Sequence, residues 1–211
     1  MQKTFQLILA SQSPRRRELL GHTGLPFQSI SLNLHEHSDS TDPEQFALDI
    51  GKQKAAASRQ YAEENKIENP FFVVSDTLVT FDGKILGKPS GDDEARIMLN
   101  ELSERQHQVF TSVGFCWHDG ESWKEHFFVD MALVTFGKID KAMMDHYIST
   151  GESLDKAGAY GIQGPALVFI THLDGSYSTV MGFPLSKFMQ EIESVVSAYC
   201  SDDTSWRSVF Q

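Results

Sequence analysis

The segment Ser11-Gln12-Ser13-Pro14-Arg15-Arg16-Arg17 sets serine hydroxyls and three consecutive guanidinium groups directly after the apolar run Phe5-Gln6-Leu7-Ile8-Leu9-Ala10. Ser13 is a good helix N-cap, and Pro14 fits the first helical position, where a missing N–H costs nothing. The arginines then crowd a helix N-terminus that already carries about half a positive charge. A helix that needed only stability would place Asp or Glu there. The pattern predicts a cradle in which Ser11, Ser13, Arg15, Arg16 and free helix-start amides converge on an anion, with Arg17 adding its charge. Phosphate is the commonest anion held in this way. The competing reading is an ordinary exposed basic helix start.

Other residue types with chemistry lie downstream. Asp76, in Ser75-Asp76-Thr77, ends the buried run Phe71-Phe72-Val73-Val74. A carboxylate there is placed to hold Mg²⁺ or to activate water, although Asp also caps turns. Lys54 stands among alanines on a helical stretch, and Lys88 precedes Pro89, whose ring restricts its neighbour. Each lysine alone reads as a solvated surface cation and gains a chemical role only with the rest of the constellation. Asp155-Lys156-Ala157-Gly158-Ala159-Tyr160-Gly161-Ile162-Gln163-Gly164 has the glycine content of a backbone that approaches a ligand closely, or of a flexible loop. Gln163 offers paired donor and acceptor groups to a base edge. Glu36 reads as a solvated loop carboxylate or as a second carboxylate for a metal; His35 and His37 flank it without an evident third zinc ligand and read as exposed.

These groups sit in a 211-residue chain of net charge -11. Such a charge opposes nucleic acid and membrane surfaces as partners, so the phosphate expected at the arginines belongs to a small molecule. Cys116 and Cys200 form neither a zinc pattern nor a disulfide framework, which fits a reducing compartment. No signal layout opens the chain, and no apolar run approaches the ~18 residues of a membrane span. The expectation is a cytoplasmic protein.

The elements that must position these groups read as strands at 5–10, 27–34, 71–81, 108–117, 125–136, 166–171 and 178–181. Helices read at 15–21, 43–65, 92–102, 140–149 and 184–199, with hairpin turns at Asp82-Gly83, Asp119-Gly120 and Asp174-Gly175. Interleaved strands and helices, with hairpins in the middle, predict one α/β domain over 1–199 built on a mixed twisted sheet, followed by a mobile polar tail at 200–211.

Ser11-Gln12-Ser13-Pro14-Arg15-Arg16, Ser75-Asp76-Thr77, Gly87-Lys88-Pro89, the 155–164 string, Gly175-Ser176-Tyr177 and Gly182-Phe183-Pro184-Leu185 resemble, in order and spacing, the Maf family of nucleoside triphosphate pyrophosphatases. The resemblance implies a house-cleaning hydrolase that cuts between the α and β phosphates, releasing a monophosphate and pyrophosphate. It implies a mixed sheet with flanking helices and two lobes around a cleft, similar to inosine triphosphate pyrophosphatases, a divalent cation (Mg²⁺ or Mn²⁺), and often a homodimer. By motif, Asp76 matches the general base, and Arg15, Thr77 and Gln163 match positions tied to substrate choice. Ser11, Ser13, Arg16, Lys54 and Lys88 match the phosphate site, and Glu36 joins Asp76 at the metal. The 155–164 string is similar to the branch that prefers dTTP and UTP. Alternatives are a 7-methyl-GTP or non-canonical purine triphosphate pyrophosphatase, and a nucleotide-binding regulator of septum formation. Gln12 stands where the family usually has Gly, and Ser75 where it has Ala or Gly; neither removes a catalytic group.

Overall fold

The structure, a computed structural model, describes residues 3–200 and 205–211. Strand β1 (Gln6–Ala10) is buried from Leu7 onward and leads into helix α1 (Pro14–Gly21). It pairs in parallel with β2 (Gln28–Ile30) on one side and with β3 (Pro70–Phe81) on the other. Helix α2 (Pro43–Asn65) makes the crossover, started by Asp42, whose carboxylate accepts from Gln45 N at 2.8 Å, and ended by left-handed Lys66. From β3 the sheet continues antiparallel through β5 (Gln106–His118), β6 (Trp123–Phe136) and β7 (Ile170–Asp174), in the order β2-β1-β3-β5-β6-β7. The short β4 (Lys84–Leu86) folds back on β3 by the predicted Asp82-Gly83 turn.

This topology makes the cleft. β1 covers the edge of β3 at 70–73, and β4 covers the same edge at 79–81. Between them that edge has no strand partner among the described residues, and Asp76 and Thr77 lie there. They are the two positions of β3 that are not buried. Around the first half of β3, α1 and α6 (Leu185–Val196) pack Leu19, Leu20, Phe188 and Ile192 on one sheet face. Ala55 and Ala62 of α2 cover the other face against Ile8, Phe72 and Val74. Around the second half, α3 (Asp92–Leu102) and α4 (Lys141–Ser149) bury Leu99, Leu102, Met144 and Tyr147 against Val79, Val109 and Phe136. Two lobes thus share three long strands.

Gly114 of β5 shows how tightly those strands are covered. A Cβ there would fall 2.3 Å from the Phe127 ring and 2.9 Å from Val74. Overpacking of a dense core costs about 1–3 kcal/mol. Gly114→Ala is therefore expected to lower stability in urea titrations by that amount; an unchanged midpoint would mean the Phe127 ring moves aside freely.

The structure corrects four readings. The strand expected over 27–34 is paired only at Gln28–Ile30. Residues 166–171 are mostly a 3₁₀ helix, Gly164–Phe169, with the strand beginning at Ile170. Residues 178–181 fall in helix α5 (Tyr177–Val180), where Thr179 and Val180 N–H groups close onto Ser176 O and override the strand preference of Thr and Val. The end of the tail expected to be mobile is packed: Trp206–Val209 is a 3₁₀ turn, Val209 and Phe210 are buried, and Phe5 N–H donates to Val209 O at 2.6 Å. Residues 201–204 of that tail lie outside the described residues.

Candidate active site

The cleft has a volume of about 1060 Å³. Its walls bring together Ser11, Ser13, Arg15, Arg16, Glu36, Lys54, Asp76, Thr77, Lys88 and Gln163, the residues matched to the site by motif. Lys54 is the electrostatic centre. Its ammonium donates to Asp76 Oδ1 at 2.7 Å and to Ser75 O at 3.2 Å, and lies 3.1 Å from Glu36 Oε1. α2 supplies the lysine, β3 the aspartate, and the loop after β2 the glutamate. One cation therefore holds two carboxylates from separate elements in register.

Arg16 is fixed as a fork. Nε donates to Gly182 O at 2.9 Å and Nη2 to Thr77 Oγ1 at 3.1 Å. Burial lowers its pKa, Asp76 and Glu36 raise it, and Arg15 lowers it. Guanidinium remains charged under any such balance. Gly182 has φ +101°, and a Cβ there would lie 2.9 Å from Thr77 Oγ1 and 3.5 Å from Arg16 Nε. Glycine at this point lets the carbonyl reach the fork.

The arginine cradle differs in two respects from its sequence reading. Arg17 is exposed and absent from the cleft wall, because successive helical residues turn through about 100° and only Arg15 and Arg16 face inward. The helix start also offers fewer free amides than expected, since Pro14 has no N–H and Ser13 Oγ accepts from Arg16 N. Ser11 Oγ likewise accepts from Ser13 N at 3.2 Å. Both serines thus accept from the backbone, and each keeps its hydroxyl proton for an anion. Gln12 is exposed and does not have a positive φ, so it fits where glycine was the usual residue. Ser75 Oγ donates to Gly182 O at 3.0 Å and braces that carbonyl.

The family model described as Maf-like protein matches residues 6–195. This chain belongs to the Maf family. A relative from Bacillus cereus (strain AH187), named dTTP/UTP pyrophosphatase, is 37% identical over 189 residues, covering 89% of this chain and 94% of its own. Relatives of the same name from Bacillus thuringiensis subsp. konkukian (strain 97-27) and Bacillus anthracis (strain CDC 684 / NRRL 3495) are each 38% identical, with the same coverage.

In this Maf chain the glycine-rich segment is a structured wall. Gly158 N donates to Gly87 O at 3.1 Å, tying the wall to the Lys88 loop. Gly158 has φ +65°, and its missing Cβ makes room for Val79. Lys156 also lines the cleft, with its buried ammonium committed to Glu152 O, Glu152 Oε2 and Asp155 Oδ1 at 2.6–2.9 Å. Arg15, Lys88 and Gln163 make no side-chain hydrogen bond or ion pair to the protein among the described residues.

Glu36 and Asp76 have the donor chemistry of a divalent-cation site. Mg²⁺ is commonly held by one or two carboxylates together with substrate phosphates and water. Two carboxylates drawn onto one cationic point, beside a phosphate-sized cradle, fit that kind of site. Among the described residues no cluster of three or more His, Cys, Asp or Glu provides an all-protein cage. His35 and His37 are exposed, and His37 pairs with Asp39 at 3.0 Å.

Sequence reasoning missed the support behind Tyr160. Its hydroxyl lies 2.7 Å from Nε2 of His107, a buried residue of β5. Burial pushes the His107 pKa down to about 4. The unfolded chain then takes up a proton as pH falls below about 6.5, while the folded chain does not until about 4. Stability is therefore lost on acidification across that window, by roughly 3 kcal/mol in all, and is unaffected above it. His107→Gln, which cannot titrate, is expected to remove that part of the pH dependence in urea titrations at pH 7 and 4.5. An unaltered difference between the two pH values would assign the acid sensitivity elsewhere.

Proposed function

We propose that this chain hydrolyses dTTP and UTP, and modified pyrimidine triphosphates, to the monophosphate and pyrophosphate, keeping the nucleotide pool clean in the cytoplasm. The observation that carries the proposal is Lys54 holding Asp76 and Glu36 together at the mouth of the Arg15–Arg16 cradle. The relatives' names give the substrate class. The free thiols Cys116 and Cys200, and the lack of any described helix long and apolar enough to cross a membrane, support the location.

The chemistry follows from the groups present. Arg15, Arg16 and Lys88 neutralise the triphosphate, and Ser11 and Ser13 donate hydroxyl protons to its oxygens. Asp76, paired with Lys54, accepts the proton of the attacking water. The α–β anhydride bond breaks, and the charge gathering on the departing pyrophosphate is met by the guanidinium and ammonium groups. Glu36 and Asp76 would hold a divalent cation, whose contribution when bound is further neutralisation of the triphosphate. Gln163, on the structured wall, reads the base, and the -11 net charge of the chain keeps nucleic acid away.

The test is pyrophosphate release from dTTP, UTP, CTP, GTP, 7-methyl-GTP and ITP with Mg²⁺ or Mn²⁺. Turnover concentrated on dTTP and UTP supports the proposal. Turnover concentrated on the purines moves the chain to the other substrate class, and binding without release makes it a nucleotide-binding regulator. Light scattering of the same sample tests the homodimer.

A further inference from the structure

A row of polar side chains crosses the sheet behind the cleft. Thr77 on β3, Thr111 on β5 and Asp130 on β6 stand directly opposite one another in register. Thr111 is fully buried, as is Thr179 on α5. Such hydroxyls have one proton each, so the direction of every bond in the row can be worked out.

Thr179 O is a carbonyl and can only accept; Thr111 Oγ1 donates to it at 2.8 Å. That uses the single Thr111 proton. The 3.0 Å contact between Thr77 and Thr111 is therefore a donation from Thr77. Thr77's proton is used in turn, and its oxygen accepts from Arg16 Nη2 at 3.1 Å. The acceptor end is anchored as well, because the Thr179 hydroxyl donates to the Asp130 carboxylate and Thr179 N–H to Ser176 O. Every donor in the row points away from the cleft. Thr77 is left without a proton to offer a phosphate or a base carbonyl.

We propose that Thr111 is a positioning residue that fixes the Arg16 fork through Thr77. On this account the effect of Thr77 on substrate is exerted through Arg16 rather than by a hydrogen bond donated to the nucleotide. The close approach of Gly182 to Thr77 and Arg16 supports the same unit from the opposite side. The inference rests on the pyrophosphatase reading for its catalytic consequence, but its geometric claim concerns any triphosphate seated on Arg16.

The test compares Thr111→Val, Thr77→Val and the double variant, with Thr111→Ser as the conservative control. Two readings are taken: kcat/KM for dTTP, and affinity for inorganic tripolyphosphate by calorimetry. Both single variants are expected to lose about tenfold in each, the double to lose little more than either alone, and Thr111→Ser to stay within about twofold of the parent. A structural role alone would neither couple Thr111 to Thr77 nor be rescued by serine. Thr111→Cys keeps the volume with a weaker donor and replaces Thr111→Val if that variant is insoluble; the same loss is expected in smaller measure. Losses that multiply in the double variant, or a Thr111→Val protein within about twofold of the parent in both readings, would overturn the proposal. If the parent releases no pyrophosphate from dTTP or UTP, the pyrophosphatase reading fails, while the tripolyphosphate arm still decides the role of Thr111.

Discussion

Asp76→Asn is expected to reduce kcat for dTTP about a thousandfold while leaving KM within a fewfold of the parent. The size follows from removing a general base, which is worth about 10²–10⁴. The sparing of KM follows from the layout of the cleft. The phosphate-facing groups Arg15, Arg16 and Lys88 are on other elements and do not depend on Asp76 for their position; Arg16 is held by Gly182 and Thr77. The fold should survive, because the asparagine oxygen can still accept from Lys54, and Lys54 keeps Glu36. At saturating metal, removing one negative charge from the cleft also lessens its direct repulsion of a polyanion. A variant that binds dTTP as well as the parent and does not turn it over is therefore the expected species. A titration with Mn²⁺ separates the two tasks given to Asp76. Unchanged metal dependence of the residual rate places it as the base; a much higher metal requirement places it chiefly at the metal; near-full turnover in a folded variant removes both.

Much of this site could be read directly because the signals were local. Ser13 and Pro14 at α1, and Asp42 and Pro43 at α2, are capping patterns whose physics acts within one helical turn, and both helices start where those residues place them. Asp76 was visible as a charge inside an apolar run, and the structure gives the reason: it lies where the β3 edge passes between β1 and β4. What escaped was set by distant contacts. Thr111 within Val109–Val113 looks like any strand-forming residue, since nothing local distinguishes a buried hydroxyl with two partners from one facing solvent. His107 was lost in the same way. The 178–181 stretch has strand-forming residues, but it folds as a helical turn, and carbonyls in and just after it meet distant partners, Thr179 O accepting from Thr111 and Gly182 O from Arg16. Arg17 was over-read because three adjacent arginines in a sequence do not share one helix face. The tail was misread because its two anchoring residues, Val209 and Phe210, come after a polar stretch.

Arg16→Lys carries the second large effect and separates charge from geometry. Lysine keeps the positive charge beside Asp76 and Glu36 but has no planar fork, so it cannot bond Gly182 O and Thr77 Oγ1 from one rigid group while facing a phosphate. The expected result is a loss of about a hundredfold in kcat/KM for dTTP, since misplacing a positioning cation by about 1 Å costs on that order. Stability should change little, because Ser75 Oγ continues to donate to Gly182 O and Thr77 keeps Thr111. Arg16→Met sets the lower limit by removing the charge as well. A lysine variant within about threefold of the parent would mean that Arg16 works as a point charge and that the bonds to Gly182 and Thr77 are incidental. A lysine variant as inactive as the methionine variant would mean that the direction of the guanidinium, not its charge, makes the cradle productive. The fork is braced from β3 and from the Gly182 turn on two separate atoms, and that bracing would serve no purpose for a charge alone.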